Sequence, residues 1–154
     1  MKRIRILLGG LVFWLSWPFL YLYLRETLRS RVIIEHNGEV LMIRGWHDGN
    51  KWALPGGGVH KHENPDTSAV REAKEEVGID IPITDLLNLG LDTLAERGLK
   101  FNIARFGYKI DKRPATTRQK LEVIALAWIK LEAISPDMVD SATWRHLTVW
   151  KQHR

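Results

Sequence analysis

The chain opens with an unbroken apolar run and then alternates. Residues 6–24, ILLGGLVFWLSWPFLYLYL, hold 19 positions without a formal charge. From Arg31 the pattern changes to short β-rich runs. RVIIEHN and EVLMIRG flank Asn37-Gly38, a dipeptide suited to a two-residue hairpin. HDGNK (47–51) is turn chemistry, and WALP (52–55) is a short extended run leading into Gly56, Gly57 and Gly58, read as a turn. A helix follows over 65–77, with Asn64 as its cap, Pro65 at its first position, Asp66 at the positive end of the dipole and Gly78 as the C′ glycine. Ala69, Val70, Ala73 and Val77 share one side of it and predict packing on a sheet. Further strands are predicted over 83–94 (broken somewhere), 100–110 and 122–131. Ser135-Pro136-Asp137 is expected to open a last helix packed through Met138, Ala142, Leu147 and Trp150. Strands mixed with two helices predict an α/β layered domain.

The apolar run is long enough, as a helix of roughly 28 Å, to span a bilayer. Trp14, Trp17, Tyr21 and Tyr23 suit a membrane interface, and Pro18 is tolerated in lipid. The reading is a single N-terminal membrane anchor over residues 1–28 followed by a domain over 29–154. A cleaved signal peptide is disfavoured because no small-x-small site follows the run. A buried helix of the domain is disfavoured because the run is apolar all round.

Charge sharpens this division. The net charge of +5 resides in residues 1–31, where Lys2, Arg3, Arg5, Arg25, Arg29 and Arg31 stand against Glu26 alone. The remainder is balanced, so the basic character flanks the apolar run and is no argument for nucleic-acid binding. Basic residues on both flanks leave membrane orientation open. The absence of cysteine excludes disulfides, zinc–thiolate sites and thiol nucleophiles.

The helix over 65–77 carries the candidate chemistry. Glu72, Glu75 and Glu76 fall within an arc of about 100°, away from the apolar side. Like charges at this spacing repel. Carboxylates beside a glycine backbone carbonyl form a cage for a hard divalent cation, Mg²⁺ or Mn²⁺. Such a cation neutralises charge on a phosphate and activates water.

Gly57, Glu63 and Arg71-Glu72-Ala73-Lys74-Glu75-Glu76-Val77-Gly78-Ile79 match the pattern G-x5-E-x7-R-E-U-x-E-E-x-G-U, where U is aliphatic. This resembles a complete Nudix box, with Ala73 smaller than the usual aliphatic residue. Trp52 to Gly56 also resemble the approach to the box in that family. The resemblance implies an α/β/α sandwich with a mixed sheet. It implies a hydrolase that uses Mg²⁺ or Mn²⁺ to cleave a nucleoside diphosphate linked to another moiety, X. Carried onto this chain, Glu75 and Glu76 are the principal metal ligands. Glu72 is a further ligand or the base, the Gly57 carbonyl completes the site, and Arg71 orients a glutamate.

Other positions are candidates. Glu63 serves the metals or braces the loop. Glu122 is the preferred later acid for the metal site, with Glu96 and Asp111 as alternatives. Arg44, Trp46, Gly56 and Gly58 are the candidate substrate-binding residues; Trp46 either stacks on a base or packs. His60 and His62 read as exposed polar loop residues, with a phosphate contact or a base as the alternative, and His47 lies beside Trp46 just before the box. The basic loop 112–120 reads as a solvated face.

Marks of ADP-ribose, dinucleoside-polyphosphate, NADH and coenzyme A hydrolases are absent after the box. This leaves a nucleoside triphosphate, oxidised or not, cleaved to monophosphate and pyrophosphate. The alternatives are a membrane-anchored hydrolase of a CDP-alcohol, UDP-sugar or lipid-linked diphosphate, and a silent nucleotide-binding sensor. Nucleotide substrates would put the domain in the cytoplasm, on a single-pass membrane anchor.

Overall fold

A computed structural model of the chain describes residues 27–45, 50–96, 99–117 and 123–153, with side chains from Leu28 and apart from those of 95–99. The expected anchor at 6–24 lies outside the described residues. Among the described residues no helix is long and apolar enough to cross a membrane.

Six strands form one mixed sheet: β1 (Thr27–His36), β2 (Glu39–Gly45), β3 (Gly56–Gly58), β4 (Leu87–Glu96), β5 (Leu99–Lys109) and β6 (Val123–Lys130). The order is β4-β5-β1-β2-β6, with β3 pairing β1 off this path. β1 runs parallel to β5 from Thr27↔Phe101 to Glu35↔Lys109, and the other pairings are antiparallel. Asn37 and Gly38 take φ of 48° and 79°, so the predicted hairpin turn forms with both central residues left-handed.

A helix covers each face. α1 (Pro65–Val77) sets Ala69, Ala73 and Val77 against Val32, Ile34, Leu41 and Phe106. α2 (Ser141–Gln152) sets Leu147 and Trp150 against Ile33, Val40, Met42 and Leu54. Consecutive β1 residues thus enter opposite cores, which explains why the strand reads as the continuous run VII. The expected α/β sandwich is present.

Three boundaries differ from the sequence reading. β1 begins at Thr27, so Arg29 and Arg31 belong to a central strand rather than to the flank of the apolar run. The three glycines form β3 rather than a turn, because β1 offers them a free edge. The last helix starts at Ser141, not at 135–137. Asp140 caps it by accepting the Thr143 N–H at 2.7 Å, and Val139 is held upstream in a bridge with Trp52.

One buried histidine ties α2 to the sheet. His146 is 1% exposed, and its Nε2 donates to the Phe106 carbonyl at 3.0 Å. Burial pushes its pKa down to about 3, with Arg31 and Arg105 acting in the same direction. The folded chain therefore keeps His146 neutral where the unfolded chain, near pH 6.5, takes up a proton. Stability is expected to fall as pH is lowered from about 7 towards 3. Melting temperatures across this range should show a shallower slope in His146→Gln.

Candidate active site

The site is built where the sheet parts. β1 and β2 pair only at Glu35↔Val40 and His36↔Glu39. Beyond that point residues 52–58 occupy the gap. Ile43 and Ala53 exchange backbone hydrogen bonds of 2.9 and 2.8 Å, the Val32 N–H donates to the Pro55 carbonyl at 3.0 Å, and β3 pairs Gly56, Gly57 and Gly58 with Arg31, Ser30 and Arg29. The segment is fastened to β2 at one end and to β1 at the other. A cavity of ≈ 200 Å³ opens here, lined by Arg29, Arg31, Gly45, the three glycines and Glu76.

The loop after β3 leads into α1. His62 takes a left-handed φ of 68°, and Pro65 stands at the helix start. Asn64 occupies the cap position but its side chain makes no capping hydrogen bond; Asp66 instead accepts the Thr67 N–H at 2.7 Å. Gly78 ends the helix with φ of 73°, as predicted.

The three glutamates do not share one environment. Glu76 is 7% exposed and accepts the Gly56 N–H at 2.8 Å. Glu72 lies against Gly57, where an added Cβ would stand 2.4 Å from its Oε1. Glu75 is exposed. The sequence reading of one solvent-side arc is therefore corrected for Glu76, which turns inward beneath β3.

Arg71 is the hub of the cluster. Its Nε and Nη2 donate to the two oxygens of Glu63 at 2.9 and 3.1 Å. Nη1 donates to Glu72 at 2.8 Å and to Glu75 at 3.2 Å, and Nη2 also reaches the Gly58 carbonyl at 3.1 Å. The i,i+4 contact with Glu75 is the longest of its carboxylate contacts. Glu63 thus braces the loop through Arg71. The Arg71 hydrogen bond holds the Glu63 carboxyl down at about pKa 2, against the opposing effect of burial. Glu63 raises the Arg71 guanidinium above its ordinary range.

A carboxylate depressed in this way stabilises the fold above its ordinary range, and that contribution is lost as pH falls through about 2. Arg71→Met removes the pair. The variant is expected to be less stable at pH 5 and to lose less further stability between pH 5 and 3, which urea unfolding at the two values would measure.

The donor set has the chemistry that a hard divalent cation prefers. Carboxylate oxygens of Glu72, Glu75 and Glu76 and the Gly57 backbone are of the right chemistry, and a Cβ at residue 57 would displace the Glu72 carboxylate that lies against it. Arg71 neutralises one charge among four carboxylates. Among the described residues no three His, Asp or Glu side chains converge to metal-holding geometry.

The remaining candidates separate. Gly56 and Gly58 line the cleft. Arg44 is not among its lining residues; its guanidinium sits 4.2 Å over the Trp52 ring and donates to Asn50 at 2.7 Å. Trp46, His47 and Glu122 lie outside the described residues, as does the Glu96 side chain. Asp111 is exposed in the bend after β5, and His60 and His62 are exposed. His60 donates its backbone N–H to Glu63 at 2.9 Å. In the basic loop, Arg113 pairs with Glu39 at 2.6 Å and stacks on Trp128, so part of that loop is tied to the sheet. Sequence reasoning missed Arg29 and Arg31 as cleft residues. Their two-residue spacing before VII was the available signal, since it puts both on one face of a strand.

Comparisons with known proteins agree with this geometry. The model of the NUDIX domain family matches residues 27–148. A "MutT-like protein" of Streptomyces ambofaciens is 28% identical over 109 residues, covering 71% of this chain and 66% of that one. A "Diphosphoinositol polyphosphate phosphohydrolase 3-alpha" of Mus musculus is 38% identical over 55 residues, covering 36% of this chain and 34% of that one. The matched regions are thus less than two thirds of either relative's length. The crystal structure of a MutT NUDIX hydrolase from Burkholderia pseudomallei superposes with a TM-score of 0.71 at 21% identity, covering 80% of this chain and 97% of that one.

Proposed function

The chain belongs to the NUDIX domain family, a family of hydrolases acting on phosphoric anhydride bonds, and from that premise we propose that it is a divalent-metal-dependent pyrophosphohydrolase. Its substrate is a nucleoside diphosphate linked to X, with a nucleoside triphosphate, oxidised or not, as the favoured case. The products are the nucleoside monophosphate and pyrophosphate. The observation that supports this reading is the seating of Glu72 against Gly57 and of Glu76 against the Gly56 N–H, with Glu76 and both glycines lining the cleft.

Glu72, Glu75, Glu76 and the Gly57 carbonyl would hold Mg²⁺ or Mn²⁺. When bound, the metal supplies charge neutralisation at the phosphoryl oxygens and a more acidic water. Arg71 gathers Glu63, Glu72 and Glu75 around one guanidinium, from which Glu72 and Glu75 would turn their free oxygens to the cation. Glu72, mostly buried, would take a proton from the attacking water. The glycines of β3 bring backbone rather than side chains to the substrate.

Residues 6–24 would attach the chain to a membrane as a single span, with the domain on the cytoplasmic side. This part of the proposal rests on the sequence alone. Recovery of the full chain in the membrane fraction, resistant to high salt, would support it.

The test of activity is product analysis of the full chain with Mg²⁺ over nucleoside triphosphates, their oxidised forms, CDP-alcohols and UDP-sugars. Pyrophosphate release from triphosphates, abolished by a chelator and restored by Mg²⁺, is expected. Preference for a CDP-alcohol or UDP-sugar would instead assign the membrane-linked substrate. Nucleotide binding without turnover of any compound would identify a silent sensor.

A further inference from the structure

We propose that Arg29 is a substrate-binding residue whose guanidinium takes an oxygen of the substrate's diphosphate in the cleft between β1 and β2. The inference rests on the hydrolase reading and adds to it a residue outside the 57–79 motif.

The arginines around the cleft have different occupations. Arg71 is engaged by three carboxylates. Arg31 donates to both oxygens of Asp140 at 3.2 and 2.9 Å and to Thr143 at 2.8 Å, which ties it to the start of α2. The Arg29 side chain lines the same cavity and makes no hydrogen bond or ion pair among the described residues. Its one close partner is the Phe101 ring, 5.2 Å from the guanidinium carbon to the centroid. Its charge is opposed from a distance by Glu72 but met by no hydrogen-bonded carboxylate among the described residues, so an anion that bonds the guanidinium directly is favoured.

The register shows where the anion fits. Arg29 stands directly opposite Gly58 in the antiparallel β1–β3 pair. Opposed residues of such a pair project on the same face. A Cβ added to Gly58 would meet nothing within 4 Å. The volume beside Arg29 that a neighbouring side chain would fill is therefore open. The planar guanidinium suits two phosphoryl oxygens at once. Burial and the nearby Arg31 pull the Arg29 pKa below its ordinary value, and the Glu72 carboxylate opposes them, so the charge remains in place across from the carboxylate cluster.

The experiment titrates inorganic pyrophosphate into the full chain by calorimetry in a metal chelator, and measures steady-state hydrolysis in parallel. Wild type should bind pyrophosphate without metal. Arg29→Met should bind it roughly 10- to 100-fold more weakly, the loss of a charged hydrogen bond, with KM for hydrolysis raised to match and kcat little changed. Arg29→Lys, which keeps the charge but not the fork, should fall between. Wild-type pyrophosphate affinity and KM in Arg29→Met would overturn the proposal, as would absence of metal-free binding in wild type. If Arg29→Met does not fold, Arg29→Lys decides, with unchanged affinity counting against. Arg29-dependent pyrophosphate binding in a chain that hydrolyses nothing would leave this inference standing and refute the hydrolase reading.

Discussion

Glu76→Gln is expected to lower kcat/KM by about 10³-fold while leaving the fold in place. Two features of Glu76 combine in this expectation. It is buried beneath β3, and its Oε2 accepts the Gly56 N–H at 2.8 Å. A glutamine of the same shape keeps an oxygen for that N–H, so the strand-to-helix contact survives. What disappears is the negative charge proposed to hold the cation. Metal-ion catalysis contributes several kcal/mol, and each 1.36 kcal/mol is tenfold in rate. The measurement is kcat/KM beside a thermal melt and a Mn²⁺ titration. Full turnover in the variant would remove Glu76 from the site. Glu75→Gln offers a contrast: its side chain is half-exposed and its Arg71 contact is 3.2 Å, so stability should change little there.

Gly56→Ala is expected to cost about 3 kcal/mol or more of stability, or to prevent folding. The backbone at Gly56 has φ of 150°, which residues with a side chain rarely adopt. A Cβ there would lie 2.1 Å from the Ser30 carbonyl and 2.8 Å from the Arg31 Cα. Both are backbone atoms of the central strand and cannot swing aside. Relief requires β3 to leave β1, which takes the Gly56 N–H from Glu76 and opens the cleft. A loss of this size is in the range of the strongest single-residue effects, and it should lower the melting temperature by roughly 6–12 °C in a domain of this length. Gly58→Ala is the control for stability, since its Cβ has open space; its melt should match wild type. Equal melts for the two variants would refute the account of β3.

Much of this was legible in the sequence because the signals were local. Asn37-Gly38 announces a turn whose dihedrals only such residues adopt, and Gly78 announces a helix end at φ of 73°. Arg71, Glu72, Glu75 and Glu76 stand at fixed spacing, so their gathering on α1 followed from helical geometry. The misreadings were non-local. Three consecutive glycines say turn by composition, yet they form a strand because β1 parts from β2 and leaves an edge to pair. Arg29 and Arg31 counted as flanking charge beside an apolar run; only the parallel pairing with β5 puts them in the centre of the sheet. Ser135-Pro136-Asp137 carries helix-start chemistry, but Met138 and Val139 are held to Trp52, and the start passes to Asp140. The inward turn of Glu76 depends on the Gly56 N–H, a partner twenty positions away on another element.

The parallel pairing of β1 with β5 also has a consequence in time. Thr27 faces Phe101 and Glu35 faces Lys109, so among the described strands β1, made early, waits for β5, made more than sixty residues later. The β1–β2 hairpin can close early, but it closes on only two residue pairs. The edge of β1 that β5 will cover, with Val32, Ile33 and Ile34, stays without its neighbour until most of the chain has been made. Loop-closure entropy must be overcome before such distant pairs reward it, so folding is expected to be slow for the chain length. A strand buried on both faces in the folded chain is therefore open to wrong partners while the chain is being made.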